Sequence, residues 1–364
     1  MRNTLSLRDG IALIVVIQIS KIMIVGFPAG SGPDTWAAVL LASLGALPLM
    51  AVYARLVRLM PGKNIFEMTQ ITAGKPVSVI ISILYAYYFL VVASITIGSF
   101  SEFVQMAFLY NTSYVTICAG FFIVCAYLAY SGSSTLGKWS TIVLFFSALV
   151  IAAVFIFSLT KVKSPGLVMP MEKNWPNIGI TGLRFLAIPF GEAVILTGLA
   201  GDFEKNVNPF KLFIGGSAIS GVVVLLIYLH NSSVLGQENM SAVYFPAYKA
   251  ASIINIGTIG TRIEALVAYA FIIEGITKAA AGIAVSTRAV AAVFRVKDFR
   301  GLAWPVGLLC LAMATFAFHN VTEMFEHFDN IYPVYGAVFQ FALPLLLWLV
   351  AEVRLRGKKF RLVA

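Results

Sequence analysis

The chain has 364 residues, of which 60% are hydrophobic and only 12% are charged, and its mean hydropathy is +0.90. These values exclude a soluble globular domain, because an aqueous fold of this size could not bury so much apolar surface. The net charge of +10 does not indicate nucleic-acid binding, since the basic residues lie at the ends of apolar segments and form no single patch.

Ten segments are long and apolar enough to span a bilayer, which takes about 20 residues rising roughly 1.5 Å each. In chain order they cover residues 10–31, 35–56, 77–108, 112–131, 138–160, 180–200, 209–234, 262–292, 301–319 and 331–353. The first lacks a small-residue cleavage site and many similar segments follow it, so we interpret it as a span and not as a signal peptide. Segments 64–73 and 246–257 are short and amphipathic and suit helices on the membrane surface.

Lysine and arginine are unevenly distributed between the two sides that these spans define. One side has only Lys161, Lys163, Lys173 and Lys249 in its connections, and the other side has most of the remaining basic residues, including both termini. The positive-inside rule therefore predicts an even number of spans and places both termini in the cytoplasm.

Ten spans divide into two sets of five, and the second set would insert upside down because five is odd. The first and sixth spans both contain Pro and Gly near their centres, in residues 20–30 and 187–192. Two inverted repeats with broken helices are typical of secondary transporters, although simple proline kinks are the alternative. We therefore predict an all-α polytopic membrane protein with a LeuT-like fold, one transmembrane domain over residues 1–364, and repeats at about 10–160 and 180–353.

Four charged residues stand out because they lie deep inside the predicted spans, away from the span ends: Lys21, Glu192, Glu274 and Lys278. The first three lie about 17 to 18 Å along their helices, which places them near the middle of the bilayer. A charge there costs roughly 2.5 to 3.5 kcal/mol on insertion scales and needs a partner or a water-lined cavity. The four charges predict either a structural ion-pair network or a mid-membrane site for a small zwitterion, such as an amino acid, at broken helix ends.

Two helix faces extend this candidate site. Glu274, Thr277 and Lys278 occupy positions i, i+3 and i+4 of the eighth span, so they share one face. Tyr88 and Val92 share a face of the third span, where an aromatic stripe serves either as a pocket wall or as helix packing. No P-loop, metalloprotease, serine-hydrolase or Cys/His motif is present, so we expect neither catalysis nor a bound metal or cofactor.

Several short motifs follow one another along the chain. They are I-V-G-F-P ending at Pro28, P-D-T-W at 33–36, Y-F-L-V-V-A-S at 88–94, F-G-E at 190–192, R-I-E at 262–264 and I-I-E-G-I-T at 272–277. In this order they resemble the spore-germination permease family, the B subunits of nutrient germinant receptors, which are similar to amino acid-polyamine-organocation transporters. The resemblance covers nearly the whole chain.

The resemblance implies where a ligand would bind. The family's pocket would correspond here to positions in the breaks of spans one and six and on spans three and eight. Together with the charged residues, the candidate ligand-binding positions are Ser20, Lys21, Ile22, Ile24, Tyr88, Val92, Ile188, Pro189, Phe190, Gly191, Glu192, Glu274, Thr277 and Lys278. Lys21 departs from the small residues of the family, and it could fill a cation site, pair with Glu192 or Glu274, or narrow the pocket.

The resemblance also implies a function. Such a B subunit would bind a small nutrient, an amino acid above all, and trigger germination together with an A subunit and a lipoprotein C subunit in the inner membrane of the spore. A proton-coupled amino-acid transporter is the alternative from another class, and a scaffold with a vestigial pocket is a third.

Overall fold

The computed structural model describes residues 4–26, 32–158, 174–236, 239–240, 243–254, 263–316, 318 and 320–361, and these form helices joined by short connections. The α-helices are α1 (Leu7–Val25), α2 (Thr35–Leu59), α3 (Ile65–Ala73), α4 (Lys75–Ala107), α5 (Tyr114–Ser131), α6 (Ser133–Ser158), α7 (Trp175–Ala187), α8 (Ile195–Leu199), α9 (Pro209–Leu235), α10 (Pro246–Ser252), α11 (Ile263–Phe294), α12 (Ala303–Phe316), α13 (Val321–Glu326), α14 (Tyr332–Ala337) and α15 (Leu343–Arg361).

Eight helical stretches of the described chain are long and apolar enough to cross a membrane. They are α2, α4, α5, α6, the stretch Trp175–Asp202, α9, α11 and the stretch Val321–Leu355. The other two predicted spans correspond to α1, which carries Arg8, Asp9 and Lys21 within 19 residues, and to the shorter apolar helix α12. The predicted all-α membrane architecture is confirmed, whereas the boundaries of the two repeats stay a prediction.

Local signals explain several helix ends. Asn64 and Glu67 form a reciprocal capping box at the start of α3, and Asn208 caps α9, whose first residue is a proline. The last helical stretch begins at Val321 instead of residue 331, because the Asn320 side chain accepts a hydrogen bond from the Glu323 amide and so caps an earlier turn. The segments predicted at 64–73 and 246–257 correspond to α3 and α10.

The long helix α11 is the centre of the packing. Its most extensive contacts are with α4, and it also packs against α1, α5 and α6. Glycines allow the close approach: a Cβ on Gly275 would overlap the Phe100 ring, and one on Gly282 would lie 3.2 Å from the Phe89 carbonyl oxygen. Side chains on α11 therefore pack closely against the neighbouring helices.

The regular α-helix stops inside each of the two segments where the sequence predicts an interruption. Helix α1 runs without a break to Val25 and ends at Gly26, which has φ of 70°, and residues 27–31 lie outside the described chain. Helix α7 ends at Ala187, and a cis Ile188–Pro189 peptide leads into the 3₁₀ helix Phe190–Val194. Lys21 consequently lies on a continuous helix, one turn before its end.

Two π-helical segments interrupt the last span, at His327–Ile331 and Val338–Ala342. Each π segment has one more residue in its hydrogen-bonded turn than an α-helix has, which changes the direction of the side chains that follow. No residue pattern in the sequence predicted them. They matter because they set the orientation of α14 and of Gln340, which face the break of the sixth span.

The helix ends on the side predicted to be cytoplasmic are tied together. The chain near Leu5 forms a parallel bridge with Phe203, in which the Leu5 amide donates to the Asp202 carbonyl at 2.7 Å. The Asp202 carboxylate pairs with Arg288 and accepts from the Ser133 hydroxyl. This cluster joins the N-terminal segment to the end of the sixth span and to α6 and α11.

We expect Gly275→Ala to lower the free energy of unfolding by about 1 to 3 kcal/mol, because the new methyl group would overlap the buried Phe100 ring. Thermal unfolding in detergent micelles measures this. The control is Gly120→Ala on α5, where a Cβ meets nothing within 4 Å; that change should leave the melting temperature unchanged or raise it slightly. Equal melting temperatures for the two variants would contradict the close packing of α11 on α4.

Candidate functional site

A buried ion pair lies at the break of the sixth span. Glu192, on the 3₁₀ helix after the break, pairs through Oε2 with the Nζ of Lys278 on α11. Its Oε1 accepts a hydrogen bond from the hydroxyl of Tyr332, the first residue of α14, at 2.6 Å. All three side chains are at most 1% exposed. Both carboxylate oxygens are thus satisfied, which a buried carboxylate requires.

A hydrogen-bonded chain extends from this ion pair to two further helices. The Tyr332 hydroxyl lies 3.3 Å from that of Tyr88 on α4, and the Gln340 amide nitrogen donates to the Tyr88 hydroxyl at 2.8 Å. The Tyr53 hydroxyl of α2 donates to the main-chain carbonyl oxygen of Gln340 at 2.5 Å. Phe339 stacks on the Tyr88 ring, with centroids 4.5 Å apart. We call Glu192, Lys278, Tyr332, Tyr88 and Gln340 the central cluster.

The backbone at the break of the sixth span is held by a second glutamine. The Gln18 amide nitrogen, from α1, donates to the Phe190 carbonyl oxygen at 3.1 Å and to the Ser217 hydroxyl at 2.9 Å. A Cβ on Gly191 would overlap the Gln340 side-chain amide, so only glycine fits there. Gln18 therefore satisfies a carbonyl that the interrupted helix leaves free.

The structure brings some predicted site residues together and separates others. Glu192, Lys278 and Tyr88 belong to the central cluster, and Phe190 and Gly191 precede Glu192 on the same 3₁₀ helix. Ile22, Val92 and Ile188 are buried in the surrounding core. Pro189 forms the cis peptide, and the Ile24 side chain lies outside the described residues.

Ser20 and Thr277 are engaged elsewhere. The Ser20 hydroxyl donates to the Ile17 carbonyl within α1 at 2.9 Å. The Thr277 hydroxyl donates to the Ile273 carbonyl at 2.7 Å and accepts from the Trp139 indole nitrogen at 3.0 Å, so it ties α11 to α6. In this conformation neither hydroxyl contacts the central cluster.

Lys21 is 2% exposed, and its Nζ lies 3.6 Å from the centroid of the Phe328 ring. No carboxylate of the described residues lies within ion-pair distance of it. Phe328 belongs to the first π segment of the last span. A cation on an aromatic face gains about 2 kcal/mol when both groups are removed from water.

Glu274 lies one turn from Lys278 on α11 but has different surroundings. It is 0% exposed, neither of its carboxylate oxygens has a hydrogen-bond partner in the described structure, and it lines a small cavity with Ser147, His230 and Asn231. The central cluster and this cavity are therefore two distinct polar regions beside α11.

Tyr332, Gln340, Tyr53 and Gln18 were not predicted from the sequence. A signal was present for the two glutamines, because each interrupts an apolar run of a predicted span and a polar side chain inside a membrane is expected to have a partner. The tyrosines carried no such signal, since tyrosine is also common in helix packing.

Comparison with known proteins identifies relatives over nearly the whole chain. The sequence model of the family described as "Spore germination protein" matches residues 4–337. Spore germination protein KB of Bacillus subtilis (strain 168) is 24% identical over 352 residues, covering 95% of this chain and 94% of that protein. Putative spore germination protein YfkT of the same organism is 24% identical over 321 residues, covering 88% and 87%.

Two solved transporters share the fold. MhsT, in complex with L-phenylalanine, has a TM-score of 0.66 at 12% identity and covers 94% of this chain and 87% of its own. Mhp1, a nucleobase-cation-symport-1 family transporter in a closed conformation with bromovinylhydantoin bound, has a TM-score of 0.69 at 13% identity, with coverage of 95% and 78%. Both have the LeuT fold, so the predicted fold class is confirmed, and these relatives and neighbours are permeases and transporters, not enzymes.

We expect Glu192→Gln to destabilise the protein by about 3 to 5 kcal/mol, because it leaves the Lys278 ammonium buried without a counter-charge. Adding Lys278→Met should restore part of the loss. The matched control is Glu67→Gln, which breaks the exposed pair with Lys63 and should change stability by less than about 1 kcal/mol. Melting temperatures in detergent measure all three, and a single variant as stable as the double variant would contradict a close ion pair.

Lys21→Met should behave in the opposite way. Methionine approximates the length of the side chain and removes a buried cation whose described contact is an aromatic face, so the melting temperature should be maintained or raised. Lys278→Met alone should lower it. If Lys21→Met instead destabilises the protein as strongly as Lys278→Met, Lys21 has a carboxylate partner that the described contacts do not contain.

Proposed function

The chain belongs to the family of spore germination proteins, and on that premise we propose that it is the B subunit of a nutrient germinant receptor. The ligand is a small nutrient of the amino-acid class, which binds at the central cluster and triggers germination. The protein works in the inner membrane of the spore with both termini in the cytoplasm, together with an A subunit and a lipoprotein C subunit.

The buried Glu192–Lys278 ion pair is the observation that carries the proposal. A free amino acid has an ammonium group and a carboxylate, and each complements one member of the pair. Its ammonium can take the place of Lys278 at the Glu192 carboxylate, while its carboxylate binds Lys278 and accepts from the Tyr332 hydroxyl. The buried positive and negative charges remain equal in number, so a zwitterion can bind without leaving an unpaired ion.

Further support comes from the position of the cluster. Glu192 follows the break of the sixth span, and the LeuT fold uses such breaks to bind small polar ligands. The crystal structure of MhsT contains L-phenylalanine in complex with that protein, which favours the amino-acid class for this chain. Apolar side chains at Val92 and Ile188, which pack in the same buried core as Tyr88 and Tyr332, would contact the ligand's side chain and so select among amino acids.

Binding would act as a signal because the ion pair joins two separate elements. Glu192 is on the 3₁₀ helix of the broken sixth span, and Lys278 is on α11. A ligand bound between Glu192 and Lys278 replaces their direct ion pair with one contact to each residue. It therefore favours a larger distance between the 3₁₀ helix and α11. The ligand shifts the equilibrium only as far as its affinities for the two spacings differ, and the partner subunits respond to that shift.

The test is binding of radiolabelled amino acids to the purified chain in lipid nanodiscs. Tyr332→Phe preserves the ion pair and removes one hydrogen bond to a charged group, so it should weaken binding about tenfold. Tyr335→Phe, on the same short helix and hydrogen-bonded to His327 instead, should bind like the wild type. Spores carrying Tyr332→Phe should need correspondingly more nutrient to germinate.

Absence of saturable binding by any amino acid would overturn the proposed ligand class. Equal binding by the two tyrosine variants would overturn the proposed position of the site. Reconstitution into liposomes separates the receptor from the transporter: saturable amino-acid uptake driven by a pH gradient would replace the receptor proposal with a proton-coupled transporter.

A further inference from the structure

An apolar groove lies on the outside of the helix bundle between α1 and α6, and it shares no residue with the central cluster. Its volume is about 560 Å³, within the range of about 300 to 1,000 Å³ that is typical of small-molecule sites. The apolar part of its wall consists of Leu7, Ile11 and Ala12 on α1 and Leu144, Phe145 and Ala148 on α6. We call this feature the α1–α6 groove.

The α1–α6 groove faces the lipid. Helix α6 is long and apolar enough to cross the membrane, and the Phe145 side chain on it is 73% exposed. Ala12 and Ala148 keep the space beside Phe145 open, because their side chains are small. An apolar molecule of the bilayer can therefore lie along the groove.

One end of the groove is basic. Arg8 belongs to its wall at the start of α1, and Lys138 lies one turn before Thr141 on the same face of α6. The two helices touch at this level, since a Cβ on Gly137 would lie 2.9 Å from the Asp9 Cβ. Arg8 and Lys138 are both exposed, so two cations flank one end of an apolar groove.

Within the described part of the chain, neither of these cations has a counter-charge in ion-pair contact. The carboxylate beside them, that of Asp9, is engaged by two hydroxyl groups. Its oxygens accept hydrogen bonds from Ser6 at 2.8 Å and from Thr141 at 2.7 Å. Arg8 and Lys138 are thus available to an anionic group from outside the chain.

A phospholipid with a net negative charge complements this combination. Its acyl chain gains free energy for every CH₂ group that the groove covers, and basic residues between spans at the membrane surface attract anionic head groups. A free phosphate ion would leave the apolar groove empty. A zwitterionic lipid would bring a cation of its own toward Arg8 and Lys138.

We propose that the α1–α6 groove binds one anionic phospholipid of the surrounding bilayer. An acyl chain lies between α1 and α6, and the phosphate group contacts Arg8 and Lys138. The lipid joins the starts of two spans that otherwise meet through Gly137 and Asp9. The site does not depend on the proposed nutrient, because none of its residues belongs to the central cluster.

Native mass spectrometry of the purified full-length chain tests the proposal, with dioleoyl phosphatidylglycerol or dioleoyl phosphatidylcholine added to the detergent. We expect one phosphatidylglycerol to bind more tightly than phosphatidylcholine, by about fivefold for each cation. The double variant Arg8→Gln with Lys138→Gln should lose this preference. The matched control is Lys211→Gln with Lys297→Gln, two exposed cations outside the groove, which should keep it.

The apolar part of the site is tested separately with Ala148→Phe. The added ring would fill part of the groove, so both lipids should bind several-fold more weakly. The matched control is Ala312→Phe, at an exposed position of α12 outside the groove, which should bind both lipids like the wild type. Ala148 is exposed as well, so both variants should fold.

Three results would overturn the site. One is a wild type that binds the two lipids equally, which is the outcome expected if the groove is the seat of a partner subunit's helix. Another is a double variant of Arg8 and Lys138 that keeps the wild-type preference. The third is an Ala148→Phe variant with wild-type affinity for both lipids. Nutrient binding is measured separately, so its failure leaves this test intact.

Discussion

The pairing of Glu192 with Lys278 is the interaction on which the interior of this protein depends. Either charge alone is costly in a membrane, so a close approach of the broken sixth span to α11, which lets the pair form, is favoured. Tyr332 completes the coordination of the carboxylate and brings the last span to the same point. The polar contacts of three separate spans thus converge on one carboxylate, and a change at this carboxylate reaches all of them.

Much of this arrangement could be predicted from the sequence, because the physics of the bilayer restricts it so strongly. Apolar length indicates the spans, and the cost of a buried charge singles out Glu192, Glu274 and Lys278. Depth along a helix, however, indicates only the level of a side chain and not which neighbour it faces. For this reason the sequence predicted one group of charges, whereas the structure separates Glu274 from the ion pair.

The parts that could not be predicted arise from local geometry of the backbone. Two π segments in the last span orient Tyr332 and Gln340 toward the central cluster, and no residue pattern marks a π turn reliably. The extent of α1 is a similar case: the Pro and Gly after residue 25 predict an interruption, but the helix remains regular past Lys21. A break predicted from composition therefore locates a region and not a residue.

The cluster of Leu5, Asp202, Ser133 and Arg288 has a consequence for the difference between sensing and transport. On the proposed orientation it joins helix ends at the inner face through a largely buried ion pair and a backbone bridge. A transporter must open that face in every cycle and so must break these contacts repeatedly. A receptor that takes its ligand from outside would need only half of that cycle, so contacts that hold these helix ends together would be compatible with sensing and would oppose transport.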